Sequence, residues 1–283
     1  MTHRVCPKKG YLKMNELLTR TISGIVFLAV VVASVIISPL TCAALLLLVV
    51  GIGTFEMCRL QGVMEMRHLI LSELLSVGAY LLAALAALHF LPMRGLLLEL
   101  LFLMLPFLFA LFSTKYDHKT LFSSLYASLA FLVLPTALML FMFRSDMFGL
   151  MAGAHLILLV FGLLWVNDIF AYLTGILLGK HKLFPRISPG KTIEGSLGGL
   201  VFTVLAMVVF SHYVTWLPKS AAAGMAAIAV VFGTLGDLCE SMLKRQAGVK
   251  DSGRLIPGHG GVLDRFDSVL FSVPFIFVYL LLL

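Results

Sequence analysis

The sequence predicts an all-α, polytopic integral membrane protein, and both its composition and the spacing of its apolar runs support this prediction. Hydrophobic residues make up 60% of the 283 residues, whereas charged residues make up 12%. A water-soluble fold of this length needs more polar side chains to cover its surface. Apolar runs of about 17 to 25 residues are long enough to cross a bilayer as helices, and they recur along the whole chain.

Nine such runs predict about nine transmembrane helices in a single integral domain, 1–283. Their approximate bounds are 22–38, 40–58, 69–91, 95–113, 121–143, 149–170, 196–217, 220–240 and 268–283. Residues 1–21 are expected to form a basic cytosolic tail, and 22–148 the N-terminal transmembrane helices. Residues 149–283 are expected to form a second transmembrane region that holds most of the reactive groups, with cytosolic loops at 179–195 and 244–267.

The distribution of positive charge predicts the orientation in the membrane. The chain has 21 Lys and Arg residues and a formal net charge of +7. With the N-terminus in the cytosol, all of these cations except Arg94, Arg144 and Lys219 fall in cytosolic segments, as the positive-inside rule requires. The positive charge therefore reflects topology and contact with membrane lipids, and we expect no nucleic-acid partner.

A long apolar run in the second half carries a polar face. Asp168, Tyr172, Gly175 and Gly179 are spaced i, i+4, i+7 and i+11, so they share one side of a helix. If this helix begins near Gly149, Asp168 lies about 28 Å along it, close to the cytosolic boundary. The face is interpreted either as one wall of a cytosol-facing polar cavity or as a small-residue packing face with an interfacial carboxylate.

The run before the last loop carries a second polar stripe, with four side chains spaced i, i+3, i+4 and i+7. These residues are Asp237, Glu240, Ser241 and Lys244. Gly233 and Gly236, just before them, allow another backbone or a ligand to approach closely. Ionisable groups within a membrane are costly, so a functional site is the default hypothesis, and an ion pair between helices is the alternative.

The two loops supply groups that suit phosphate. The segment from Ser188 to Thr192 places hydroxyls and Lys191 on a predicted turn, although the GxxxxGK[ST] pattern of a P-loop is missing. In the 244–267 loop, Gly258, Gly260 and Gly261 free backbone N–H groups to bind anionic oxygens. The cations in and beside this loop are Lys244, Arg245, Lys250, Arg254 and Arg265.

Carboxylates among these cations indicate a metal. Asp264, Asp267 and Ser268 share a face if the last helix starts near Leu263. A hard divalent cation such as Mg²⁺, placed between protein carboxylates and substrate phosphates, accounts for both signs of charge. The chemistry indicated is phosphoryl or nucleotidyl transfer, where positioning and charge neutralisation supply most of the catalysis.

Three acidic residues of the first half lie at or within apolar runs. They are Glu56, Glu73 and Glu99. No second polar group is spaced to join them, so all three are expected at interfacial or helix-pairing positions.

Three segments of the second half match the motifs of one enzyme family. They are SMLKRQAGVKDSGRLIPGHGGVLDRFD (241–267), WVNDIFAYLTGILLGKHKLFPRISPGKTIEGSLGG (165–199) and GDLCES (236–241). Together they closely resemble the signature of the phosphatidate cytidylyltransferases, also called CDP-diacylglycerol synthases, whereas the first 150 residues resemble that family only in hydropathy. The resemblance implies an enzyme that converts CTP and phosphatidic acid to CDP-diacylglycerol and pyrophosphate. It also implies a Mg²⁺ cofactor, in some members with a monovalent cation such as K⁺ beside it.

The resemblance also implies metal ligands, and the charges and hydroxyls of the loops indicate roles for the other residues. The metal centre would be built by Asp237 and Asp264, and Asp168, Asp251 and Asp267 match family positions as further candidate ligands. Lys244 and Arg265 are the candidate catalytic cations. The candidate substrate-binding residues are Ser188, Lys191, Ser241, Arg245, Lys250, His259, Gly260 and Gly261. The expected partners are CTP, phosphatidic acid and membrane lipids, with a homodimer in a bacterial inner membrane and a site that faces the cytosol.

Two other functions remain open from the sequence. A CTP-dependent polyprenol or dolichol kinase would also handle CTP and a lipid, but it would release CDP rather than pyrophosphate. A membrane transporter can also place carboxylates at broken helices. It predicts inverted repeats and charge near the middle of the bilayer, whereas here no repeat is visible and the polar groups collect at one end.

Overall fold

Helices long enough to cross a membrane make up most of the fold. The computed structural model describes residues 9–112, 118–149, 152–213 and 216–283, and within them eight helices have the length and apolar composition of membrane spans. The prediction of an all-α polytopic membrane protein is therefore confirmed.

The first half consists of helices joined by short connections. They are α1 (Lys9–Ile37), α2 (Pro39–Leu60), α3 (Met66–Ala87), a 3₁₀ turn (Met93–Leu98) that leads into α4 (Glu99–Phe112), α5 (His118–Ser128), a π turn (Leu129–Val133) that leads into α6 (Leu134–Phe141), and the short α7 (Ser145–Phe148). Because α1 begins at Lys9, the segment predicted as a basic cytosolic tail, 1–21, is helical from that residue onward, and its cytosolic position stays a prediction. Residues 1–8 lie outside the described part of the chain.

The predicted runs 22–38 and 40–58 place the boundary between the first two helices at Ser38 and Pro39, and it lies there. The Ser38 side chain accepts a hydrogen bond from the Thr41 backbone N–H at 3.1 Å, and the Ser38 backbone N–H donates to the Thr41 hydroxyl at 3.0 Å. This reciprocal cap satisfies N–H groups that a helix start leaves free. Pro39 takes the first helical position, where its missing N–H has no cost.

The second half contains the longest helices and one small hairpin. It is built from α8 (Ala154–Leu178), β1 (Lys182–Phe184), β2 (Ser188–Thr192), α9 (Ile193–Phe210), α10 (Lys219–Gln246) and α11 (Leu263–Leu281). The ninth predicted run falls in α11, which begins at Leu263 as expected. This helix is not among the eight because Asp264, Arg265 and Asp267 lie near its start.

The hairpin corrects a detail of the sequence prediction. The segment from Ser188 to Thr192 was expected to be a turn, but it forms strand β2, with Lys182 opposite Thr192 and Phe184 opposite Ser188. Glu194 stabilises this arrangement, since its carboxylate accepts hydrogen bonds from the backbone N–H groups of Lys180 and His181 at 3.1 and 3.2 Å. The strands thereby fix the position of Lys191 relative to α9.

Two close helix pairs, α8–α9 and α10–α11, position the polar groups of the second half. A Cβ atom at Gly198 of α9 would overlap the Thr174 side chain of α8. At Gly236 of α10, a Cβ atom would lie 2.7 Å from the backbone carbonyl of Asp267 on α11. Glycine at these positions lets the backbones approach more closely than any other residue allows, so the prediction that Gly236 permits close approach of another backbone is confirmed.

Candidate active site

Three carboxylates from α10 and α11 meet at the end of the helix pair. One oxygen of each of Asp237, Glu240 and Asp267 lies within 4.8 Å of the others, and among the described residues these form the group of acids placed to share a metal ion. Asp237 and Glu240 are one helical turn apart on α10. Asp267 reaches them because Gly236 admits the α11 backbone next to Asp237.

Two lysines neutralise part of this negative charge. The Lys191 ammonium, carried by β2, forms an ion pair with Asp237. The Lys244 ammonium forms ion pairs with Glu240, one turn before it on α10, and with Asp264 on α11, the latter at 2.6 Å from Oδ1. Glu240 is 0% exposed and Lys244 is 8% exposed. A buried charge without a partner is strongly destabilising, so these pairs hold the two helices in register.

The predicted stripe on α10 therefore forms as one polar surface. Ser241 completes it by donating a hydrogen bond to Oδ1 of Asp237 at 3.2 Å. The sequence left a structural ion pair between helices as the alternative to a functional site. Such a pair does form, between Lys244 of α10 and Asp264 of α11, and it belongs to the same cluster of charges.

Asp264 lies at the side of the carboxylate cluster and organises the last loop. Its Oδ2 atom accepts hydrogen bonds from the backbone N–H of Gly261 at 2.7 Å and from the backbone N–H of Ser252 at 2.9 Å. It also lies 3.0 Å from the Ser252 hydroxyl, whose single proton has a closer acceptor in Glu56 at 2.8 Å. Asp264 is thus joined to Glu240 through Lys244, whereas the α11 carboxylate grouped with Asp237 is Asp267. A metal-ligand role for Asp264 stays a prediction.

Glu56 contacts the loop of the candidate site, and sequence reasoning missed this contact. It was expected at an interfacial or helix-pairing position, but it is 3% exposed and holds the loop before α11. Its carboxylate accepts hydrogen bonds from the Ser252 hydroxyl at 2.8 Å, from the Val262 N–H at 3.1 Å and from the Leu263 N–H at 3.0 Å. The last two are donors at the start of α11, where a negative charge is favourable. Its hydrogen-bond partners are 196 to 207 residues away in sequence. Local spacing of residues therefore could not reveal them.

Two polar cavities adjoin the carboxylate cluster, and Asp168 lines both. The first, about 360 Å³, lies against α1 and α11 and is lined by Phe27, Asp168, His259, Asp264, Arg265 and Asp267. The second, about 430 Å³, lies along α8 and the hairpin and is lined by Asp168, Tyr172, Gly175, Gly179, Lys191 and Thr234. The predicted face of α8 therefore does line a polar cavity. Its glycines also serve packing, since a Cβ atom at Gly175 would lie 3.2 Å from the Thr192 hydroxyl.

His259 is held in the first cavity by α1. Its Nδ1 atom lies 2.8 Å from the Ser23 hydroxyl, which also lies 2.9 Å from the Pro257 carbonyl and 3.0 Å from the Arg20 carbonyl. The hydroxyl has a single proton, so it either donates to a carbonyl and accepts from Nδ1 or donates to Nδ1, according to the tautomer of the ring.

The remaining predicted substrate-binding residues are spread over a wider area. Arg245 donates to the carbonyls of Ile187 and Val249 at 3.3 and 3.2 Å, and so ties the end of α10 to the hairpin. Ser188 lies on β2, and Gly260, with φ of 90°, turns the chain next to Asp264. Lys250 and Asp251 line a different cavity, beside α2. The structure thus brings Lys191, Ser241, His259, Gly260 and Gly261 near the carboxylates. Arg245 lies at the end of α10 against the hairpin, and Lys250 and Asp251 line the cavity beside α2.

Comparison with known proteins agrees with the motifs. The profile of the cytidylyltransferase family matches residues 18–283. The chain is 47% identical over 143 residues to a protein of Staphylococcus haemolyticus named phosphatidate cytidylyltransferase, which is 49% of this chain and 51% of that protein. Proteins of the same name from Staphylococcus aureus and Staphylococcus epidermidis are 47% and 46% identical over 134 residues, 46% of this chain and 50% of each relative.

These alignments limit how far the relatives' names apply, because the chain spans about half the length of the relatives that it matches. The family profile, by contrast, extends from the first transmembrane helix to the last residue, and it includes both helix pairs that carry the carboxylates and cations. The chain therefore belongs to the cytidylyltransferase family.

Proposed function

We propose that this protein is a membrane-embedded phosphatidate cytidylyltransferase, which transfers the cytidylyl group of CTP to phosphatidic acid and releases pyrophosphate. The observation that carries the proposal is the carboxylate cluster of Asp237, Glu240 and Asp267, of which one oxygen each lies within 4.8 Å of the others where α10 and α11 meet. Family membership and the names of the relatives support the same reaction.

The cluster fits a hard divalent cation such as Mg²⁺. All three side chains offer carboxylate oxygens, the ligands that Mg²⁺ prefers. Among the described residues, Oε1 of the buried Glu240 also has no hydrogen-bond partner, and a buried polar atom of this kind is rare without a ligand or water. We propose Asp237, Glu240 and Asp267 as the residues that hold the cation, with Asp264 and Asp168 as neighbours. A second, monovalent cation stays a prediction.

The chain's own cations have separate tasks in this proposal. Lys191 and Lys244 hold carboxylates in place through ion pairs, so the negative charge of the cluster is fixed before substrates arrive. Arg265 is exposed and lines the cavity next to Asp264 and Asp267, where a planar guanidinium can bind two phosphate oxygens at once. His259 lines the same cavity, and its Nε2 atom can hydrogen-bond to a phosphate oxygen in the tautomer that protonates it.

The reaction needs orientation more than it needs a strong base. The second pKa of a phosphate monoester is about 6, so phosphatidic acid already carries a nucleophilic oxygen near neutral pH. That oxygen forms a bond to the α-phosphorus of CTP, and the bond from this phosphorus to the bridging oxygen breaks as pyrophosphate leaves. When held by Asp237, Glu240 and Asp267, a divalent cation would neutralise the negative charge that develops on the phosphates. The residues of the cavities hold the two anions close together, which removes much of the entropic barrier.

The site lies where a lipid and a nucleotide can both reach it. The carboxylates sit near the end of α10 and the start of α11, next to two loops rich in cations, and the outer faces of the transmembrane helices are apolar. We propose that this end faces the cytosol of a bacterium, in the inner membrane, because that orientation follows the positive-inside rule. A homodimer remains part of the proposal.

A direct assay tests this function. Purified protein in lipid nanodiscs is supplied with CTP labelled at the α-phosphate, phosphatidic acid and Mg²⁺, and we expect a labelled lipid-soluble product together with pyrophosphate. Transfer of label from the γ-phosphate with release of CDP would instead identify a lipid kinase. Uptake of a solute into vesicles without turnover of CTP would identify a transporter.

A matched pair of variants ties the activity to the cluster. We expect Asp267→Asn to lower turnover at least ~100-fold, since a metal ligand in such a site contributes several kcal/mol to charge stabilisation. Glu65→Gln is the control, because Glu65 is exposed at the start of α3 and its side chain makes no capping hydrogen bond. Equal activity of the two variants would remove the cluster from the mechanism.

A further inference from the structure

A third polar cavity lies beside the last loop. It has a volume of about 650 Å³ and lies between the end of α2 and the segment after α10. This volume is within the range of about 300 to 1,000 Å³ that is usual for small-molecule sites. Three cations line it, Arg59 from α2 and Lys250 and Arg254 from the loop, with Asp251 as the acidic member of the lining.

The three cations of this cavity are not neutralised by the described carboxylates. The salt bridges of the described residues include Lys191 and Lys244 but none of Arg59, Lys250 and Arg254. All three are exposed. A basic residue in the last turn of a helix often only complements the helix dipole. Arg59 has this position in α2, but it also shares a cavity with two further cations, which a dipole effect alone does not explain.

The walls of the cavity are fixed by buried hydrogen bonds. Ser252, which lines the cavity, is tied to Glu56 and to Asp264. Glu56 lies one turn before Arg59 on α2, so one helix both anchors the loop and presents Arg59 to it. Gly253 packs directly against the Glu56 carboxylate, since a Cβ atom at this position would overlap it. A cavity with walls held in this way loses little entropy when a ligand binds.

The cavity is also connected to the candidate active site. Asp264 lines the first polar cavity beside Asp267, and it hydrogen-bonds to Ser252, which lines the third cavity. The Ser252–Asp264 contact is therefore a wall shared by the two. A ligand in the third cavity would lie next to the reacting groups and against uncompensated positive charge.

We propose that this cavity binds the phosphate chain of the nucleotide substrate, and that Arg59 is one of its contacts. The proposal rests on the proposed function for the identity of the nucleotide, whereas binding of phosphate groups follows from the charges of the cavity. Arginine binds phosphate through paired N–H donors, and flexible lysines such as Lys250 add positive charge. Arg59 belongs to the first half of the chain, where the sequence motifs give no indication of a substrate contact.

The test is a binding measurement that does not require turnover. Full-length protein in nanodiscs is titrated calorimetrically with CTP and, separately, with inorganic tripolyphosphate, for the wild type, Arg59→Gln, Arg59→Lys and Arg94→Gln. We expect Arg59→Gln to weaken both ligands at least ~10-fold, which corresponds to the loss of one charge-assisted hydrogen-bonded contact, and Arg59→Lys to weaken them less. Arg94 is an exposed cation of the 3₁₀ turn, so its variant should bind as the wild type does.

The outcomes separate the possible sources of the phosphate. Unchanged binding of CTP and tripolyphosphate to Arg59→Gln, with an unchanged melting temperature, overturns the proposal. A raised KM for phosphatidic acid with an unchanged affinity for CTP also overturns it, because the phosphate would then belong to the lipid. If the wild type binds tripolyphosphate through Arg59 but transfers no cytidylyl group, phosphate binding by the cavity is supported, whereas the proposed cytidylyltransferase function is wrong.

Discussion

Glu56 anchors the loop before α11 through three hydrogen bonds, and these determine how much a substitution of Glu56 should destabilise the loop. Glu56→Gln keeps the shape of the side chain but leaves one oxygen in place of two. Oε1 accepts from Val262, whereas Oε2 accepts from Ser252 and Leu263. In the better orientation of the amide, one hydrogen bond to a charged acceptor is lost, and the new NH₂ group faces an N–H donor. Such a bond contributes about 1.5 to 3 kcal/mol, and 1.4 kcal/mol is a factor of ten.

We therefore expect the loop before α11 to open about 10- to 100-fold more often in Glu56→Gln. Hydrogen–deuterium exchange at the amides of Ser252, Val262 and Leu263 measures this opening, and turnover of CTP should fall as the loop loses its position. A double-mutant cycle with Ser252→Ala should give a coupling energy above about 0.5 kcal/mol, as for residues in one network. Glu65→Gln again serves as the control. A change of about twofold or less in exchange rate and turnover is too small for the loss of a hydrogen bond to a charged group. If Glu56→Gln gives only such a change, Glu56 does not anchor the loop.

Three further changes test other parts of the site. Asp264→Asn should abolish CTP incorporation while the protein still inserts and folds; near-normal turnover of the purified variant would exclude Asp264 from the site. Gly236→Leu should separate α10 from α11 and lower stability by about 1 to 3 kcal/mol, seen as a lower melting temperature. Gly51→Leu is its control, since a Cβ at Gly51 meets no atom within 4 Å, and equal melting of the two would contradict the close packing. Ser23→Ala should remove the bond to His259 and lower turnover about fivefold, the value of one hydrogen bond, with a changed ¹⁵N shift of the ring; an unchanged shift would show that Ser23 does not set the tautomer.

The sequence predicted most of the second half because its signals are local. The stripe of Asp237, Glu240, Ser241 and Lys244 depends only on helical periodicity, and the start of α11 near Leu263 followed from the end of a glycine-rich loop. The boundary at Ser38 was equally readable from a capping serine and a proline. These features hold in the structure because neighbouring residues alone decide them.

Other features depended on strand pairing and backbone turns that hydrophobic periodicity does not indicate. The turn expected at Ser188–Thr192 is a strand because β1 offers its backbone as a partner. Likewise, α8 begins at Ala154 because the chain turns before it, with φ of 124° at Gly153. Periodicity does not indicate such pairing, since a short polar strand resembles a loop in composition.

By itself, the sequence determined that this is a helical membrane protein whose reactive groups collect in its last third, because hydrophobic length and charge spacing are properties of the chain alone. Only the tertiary structure decided which carboxylates meet. The α11 partner of Asp237 is Asp267 because Gly236 admits the α11 backbone at that point. Asp264 instead faces Lys244 and the loop, and Glu56, far away in sequence, is the acceptor that holds this loop in place. These arrangements depend on how helices pack in three dimensions, and no single segment contains that information.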